Sequence, residues 1–142
     1  MARRREPSEF FEQFAAIKRR VSALATQTYA TVELGSMQAK LLRDIGQHSP
    51  ISQAELARHS ESDPTLIGRA LAALIERGLV RRERSEEDRR EYVVELSAAG
   101  KRMRDKIETL RVEMLEKIVA QLDEKDLADF ERISAKVIAA LA

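Results

Sequence analysis

The chain has no cysteine and no tryptophan, and only 4% of its 142 residues are aromatic. Without cysteine there is no disulfide, no thiol nucleophile and no thiolate zinc site around which to build a fold or a reaction. No apolar run approaches the ~18 residues needed to cross a bilayer. Arg3, Arg4 and Arg5 imitate the start of a signal peptide, but Glu6-Pro7-Ser8-Glu9 follows where an apolar stretch belongs. The expectation is a soluble, cytoplasmic protein with no membrane partner. Net charge is scarce as well: 25 basic and 24 acidic residues leave +1 with both histidines neutral. Any nucleic-acid site must therefore be a local concentration of arginine balanced by acid elsewhere. Glycine-rich phosphate loops, nucleophile elbows and paired-histidine zinc motifs are missing too, so neither an enzyme nor a bound cofactor is expected.

What is present is apolar periodicity. Phe10, Phe14, Ile17, Val21, Leu24 and Thr28 alternate spacings of four and three, one stripe of a helix from Ser8 to about Val32, with Ser8 as N-cap and a break at Gly35. A second helix is expected from Ser36 to about Ile45, ended by Gly46. Ser52-Gln53-Ala54-Glu55 is a capping box, in which a hydroxyl and a carboxylate each satisfy the other's backbone N–H, and it opens a third helix. Asp63-Pro64 opens a fourth, which stops at Gly78. Helix, short turn and capped helix make the helix-turn-helix layout.

Two stretches with period-two alternation follow, from Leu79 and from Glu91, around a polar tip of Ser85-Glu86-Glu87-Asp88-Arg89-Arg90. They predict a two-stranded hairpin, a wing. Ser97 then caps a long helix to about Leu122, striped by Met103, Ile107, Leu110, Met114, Ile118 and Leu122, and Asp123 caps a last helix. The fold class is mainly α with a small β-hairpin wing. Its divisions are an N-terminal dimerisation helix (1–34), a winged helix-turn-helix unit (35–97, recognition helix 63–77, wing 79–97) and C-terminal dimerisation helices (98–142). The small winged core cannot bury the stripes of the terminal helices, which points to packing between two chains.

The faces of the fourth helix follow from about 100° per residue. Ile67, Ala70, Leu71 and Leu74 fall together and face the core. Thr65, Arg69, Ala72 and Glu76 fall opposite, with Gly68 beside them. An arginine there can read guanine O6 and N7, and a threonine can meet a thymine methyl or a phosphate. The wing adds Arg81, Arg82, Arg84, Arg89 and Arg90 within ten residues. An arginine at its tip suits the negative potential of a narrow minor groove. The bland reading of each is an amphipathic surface helix and a charged, solvated hairpin. His48 and His59 have a loosely ligand-like setting near Glu61 and Asp63, yet zinc needs three or four ligands in fixed geometry, so no metal is expected.

These residues resemble the MarR family of bacterial and archaeal regulators. The likeness rests on Leu56-Ala57, on Leu74-Ile75-Glu76-Arg77-Gly78-Leu79-Val80, and on Asp88-Arg89-Arg90 followed by Leu96-Ser97-Ala98-Ala99-Gly100. Gly68, where a hydroxyl is frequent, and Ser97, where threonine is commoner, depart from the pattern. The resemblance implies DNA contacts from Ser62, Thr65, Gly68 and Arg69, and a minor-groove contact by Arg89 or Arg90 with Asp88 bracing Arg90. Arg84, from the run of wing arginines, is a further candidate DNA contact. It also implies a homodimeric repressor on double-stranded DNA, released by a small aromatic or lipophilic effector whose ligand residues the sequence does not identify. The competing reading is a winged-helix protein-interaction module without DNA binding. Arg69 and the tip arginines argue against it, because a protein interface would more often show exposed aromatics. The discriminating observation is salt dependence, steep for DNA and weak for an apolar interface.

Overall fold

The computed structural model describes residues 3–142. Helix α1 (Pro7–Ala30) leads into α2 (Ser36–His48), a two-residue strand β1 (Ile51–Ser52), α3 (Gln53–Ser60), α4 (Pro64–Glu76), strands β2 (Val80–Arg84) and β3 (Tyr92–Leu96), α5 (Ala98–Val119) and α6 (Glu124–Ala140). The fold is mainly helical with one small antiparallel sheet, a winged helix-turn-helix flanked by terminal helices. Among the described residues no helix is long and apolar enough to cross a membrane.

Three details correct the expectations. The N-cap of α1 is Glu6, not Ser8, because Pro7 takes the first helical position, where its fixed φ fits and its missing N–H is not needed. Helix α2 does not stop at Gly46 but runs on to His48. Gly46 sits inside it because a Cβ there would meet the Arg104 side chain, with Cδ at 2.5 Å, and Leu96 Cδ1 at 3.3 Å. The sheet has three strands in the order β1-β3-β2, not two. Ile51 pairs with Val94 and Ser52 with Val93, so the capping segment of α3 also stitches the helices to the wing.

The winged core is dry and aliphatic. Leu41, Leu42 and Ile45 of α2, Leu56 of α3, Leu74 of α4, Val94 of β3 and Ile107 of α5 are fully buried. Each is worth about 1.5–3 kcal/mol against exposure to water. The terminal helices differ. Phe10, Phe14, Ile17 and Val21 of α1 stay exposed, α6 buries no side chain, and of the α5 stripe only Ile107 and Met114 are buried.

One close approach fixes how α5 meets the wing. A Cβ on Gly100 would lie 1.9 Å from the Leu79 carbonyl oxygen. Around that point Ser97 Oγ donates to the Gly78 carbonyl at 2.6 Å and accepts from Gly100 N at 3.0 Å, while Ser97 N donates to the Leu79 carbonyl at 3.1 Å. Ser97 thus caps α5 and clamps it to the turn after α4. Gly78 makes that turn with φ +73°, a conformation that costs glycine little.

Candidate nucleic-acid interface

Helix α4 is set at both ends. At its start the Asp63 carboxylate accepts from Thr65 N at 2.7 Å and Pro64 occupies the first turn. At its end Arg77 donates through a guanidinium N–H to the Glu33 carbonyl at 2.6 Å, tying the recognition helix to the corner between α1 and α2. Ile67, Ala70, Leu71 and Leu74 are the buried face, and Thr65, Arg69, Ala72 and Glu76 are exposed, as 100° spacing requires. Gly68 is half-buried, with nothing within 4 Å of where its Cβ would be, so the helix surface there is open and low.

The turn before α4 bends through Glu61, in the left-handed region at φ 47°. Ser62 sits here half-buried, its hydroxyl donating to the Ser60 carbonyl at 2.9 Å, while Lys40 Nζ donates to the same carbonyl at 2.6 Å. Ser60 is itself fully buried and donates to Asp44 at 3.2 Å. The Ser62 hydroxyl therefore spends its proton on the turn and can offer a ligand only its lone pairs.

The wing is ordered to its tip. Ser85 N donates to the Glu91 carbonyl and Glu91 N to the Asp88 carbonyl, both at 2.9 Å, and Asp88 N reaches Ser85 Oγ at 3.3 Å. The Asp88 carboxylate accepts from Arg90 N at 3.0 Å and from Arg90 Nε at 3.4 Å, leaving the rest of the Arg90 guanidinium in solvent. Arg89 is exposed beside it. Arg84 reaches across the hairpin to donate to the Arg89 carbonyl at 2.7 Å, and Arg81 pairs with Glu95 at 3.1 Å. The two histidines lie in the last turns of α2 and α3 and stack at 4.7 Å with rings 6° from parallel.

Recognition helix and wing meet in a groove of about 390 Å³, lined by Gln53, Ala57, Pro64, Gly68, Arg82, Arg90 and Tyr92, among others. Here the structure adds Gln53 and Tyr92, which the sequence did not single out as site residues, and stacks two of the wing arginines on the tyrosine. The Arg82 guanidinium lies 4.6 Å, and that of Arg84 5.1 Å, from the Tyr92 ring centroid. Arg84 pairs directly with Tyr92 across β2 and β3, and Arg82 lies one diagonal step along the same face. The signal was in the sequence, but reading it needs the strand register. Gln53 Oε1 is buried in the groove wall without a hydrogen-bond partner, where a bound donor or a water would satisfy it. The arrangement can hold a polyanion, with an exposed arginine on a helix, arginines stacked on an aromatic, and cations at a braced hairpin tip.

Comparison with known proteins follows this geometry. A model of the MarR family matches residues 35–92, which take in α2, the helix-turn-helix, β2 and the wing tip. An uncharacterised HTH-type transcriptional regulator of Staphylococcus aureus (strain Mu50) is 32% identical over 92 residues, 65% of this chain and 63% of the relative. The chain thus spans under two thirds of the length of the curated relatives it matches. Among solved structures, a MarR-like transcription regulator of Bacillus cereus superposes with TM-score 0.89 at 13% identity, over 95% of this chain and 97% of that one. A mutant MarR of E. coli complexed with operator DNA superposes with TM-score 0.82 at 20% identity, over 91% and 93% of the two chains. At such identities these likenesses establish the fold.

Proposed function

We propose, from the premise that the match over residues 35–92 places this chain in the MarR family, that it is a sequence-specific DNA-binding transcriptional regulator that acts as a homodimer in the cytoplasm. The family and the fold are those of regulators rather than enzymes. The observation that carries the reading is the groove shared by the recognition helix and the wing, with Gly68 on one wall and Arg82, Arg90 and Tyr92 on the other. Thr65 and Arg69 enter the major groove, and Arg89 or Arg90 enters the flanking minor groove. Arg82, held on Tyr92, takes the phosphate backbone between them.

The exposed apolar residues of α1, α5 and α6 form the dimer interface, with Phe14, Ile118, Phe130 and Ile138 among them. Two recognition helices then address successive major grooves, ~34 Å apart, on a palindromic operator. The regulator represses, and a small aromatic or lipophilic acid releases it. A cleft of about 460 Å³ beside α5 has Val32 and Leu110 for an apolar floor, with Arg102 and Lys106 balanced by Asp105 and Glu113 in its lining, and is a place where such an effector could lodge.

Selection of bound duplexes from a random library at two salt concentrations tests the reading. A palindrome of about 16–20 base pairs, enriched less at high salt, is the expected result. No enrichment at either salt overturns it in favour of a protein-interaction module.

A further inference from the structure

Leu66 stands out on the recognition helix. It sits in the first turn of α4, next to Thr65 and one position short of a full turn from Arg69, and 52% of it is exposed. The other large apolar residues of α4 behave differently: Ile67, Leu71 and Leu74 are buried, and Ile75 is half-buried. Leucine at this place does not serve the core, and an exposed leucine gains nothing from water. On the helix surface Leu66 lies about 60° round from Arg69, on the flank away from Gly68 and the wing groove.

We propose that Leu66 is a specificity-determining residue, making apolar contact with the 5-methyl group of one thymine in each operator half-site. The inference rests on the DNA-binding reading above. Leucine has no donor or acceptor for a base edge, and the thymine methyl is the one apolar group that the major groove displays. Arg69 and Leu66 together then read a guanine and a thymine close to each other, by two chemistries that do not compete. The contact explains why an aliphatic side chain is left in solvent at the leading end of the helix, where base contacts are made.

The experiment takes the duplex recovered by selection and replaces its thymines one at a time by uracil. Uracil keeps the pairing edge and loses only the methyl. Binding is measured for the wild-type chain and for Leu66→Ala, both checked for native helicity. One thymine per half-site should be methyl-sensitive, its replacement weakening wild-type binding about fourfold, the worth of one methyl-sized apolar contact. Leu66→Ala should bind the thymine duplex about as weakly as the wild type binds the uracil one, and should lose its sensitivity at that position alone. A wild-type protein indifferent to every replacement overturns the assignment, as does a Leu66→Ala protein with the same sensitivities as wild type. Both outcomes leave DNA binding intact. A chain that selects no duplex removes the DNA-binding reading and this inference with it.

Discussion

Replacing Gly100 by alanine adds one carbon where α5 has no room for it. The new Cβ would lie 1.9 Å from the Leu79 carbonyl oxygen, and real Cβ atoms essentially never come within 3.0 Å of such a neighbour. The obstacle is backbone, so it cannot swing aside as a flexible side chain would. Helix and turn must part by roughly 1 Å, and that motion stretches both bonds of the Ser97 clamp, to the Gly78 and Leu79 carbonyls. Overpacking costs about 1–3 kcal/mol, and weakening two hydrogen bonds adds about 1 kcal/mol each. Alanine's better helix propensity returns about 1 kcal/mol. The expected net loss is about 3 kcal/mol, a large share of the ~5–15 kcal/mol that holds a domain together. Gly68→Ala is the internal control: it lies mid-helix with nothing within 4 Å of the added carbon and should gain about 0.5–1 kcal/mol. Urea denaturation of both variants at one chain concentration reads the difference, because stability of an oligomer depends on concentration. Gly100→Ala as stable as Gly68→Ala would refute the steric argument and the clamp together.

Arg69→Ala should cost about 1–3 kcal/mol on the selected duplex and flatten base preference at one position per half-site, read by titration against a panel of single-base variants. Asp88→Ala removes the brace on Arg90, an exposed pair worth little to stability, so the melting temperature should hold while DNA affinity falls several-fold. An unchanged affinity would show that Arg90 does not work at the tip. Ile138→Glu places a charge on an exposed apolar face of α6, and sedimentation should show a shift from dimer to monomer with the winged core still folded.

The helix-turn-helix was legible because its signals are local. Ser52 accepts from Glu55 N at 3.1 Å, the hydroxyl half of the expected capping box, Asp63 accepts from Thr65 N, and the inward face of α4 is the one that 100° spacing selects. The same locality let Asp123 be read as a cap, and it forms a reciprocal pair with Asp126 at 2.8 and 3.1 Å. What escaped depends on partners distant in sequence. Strand β1 is two residues long and exists only because Val93 and Val94 lie alongside it. Gly46 looks like a helix stop until Arg104 of α5 is seen crossing it. The Arg82, Arg84 and Tyr92 stack needs the hairpin register, and the exposure of Leu66 needs the packing of α4 against α2 and β2. A sequence pattern marks which residues share a face, but not which faces find a neighbour.

The contact between Gly100 and Leu79 has a mechanical consequence. With no side chain between them and Ser97 bonded across, the wing and the first turn of α5 move as one piece. Helix α5 has 22 residues, so at 1.5 Å per residue it is a rod about 33 Å long. Tilting that rod by about 3° at its far end carries the wing end through about 1.7 Å, several times the ~0.5 Å window within which a base-edge hydrogen bond keeps its length. In the proposed dimer, α5 therefore acts as a lever and Gly100 as its welded joint. A disturbance too small to notice among the terminal helices becomes, at the DNA, the difference between a half-site in reach and one out of reach.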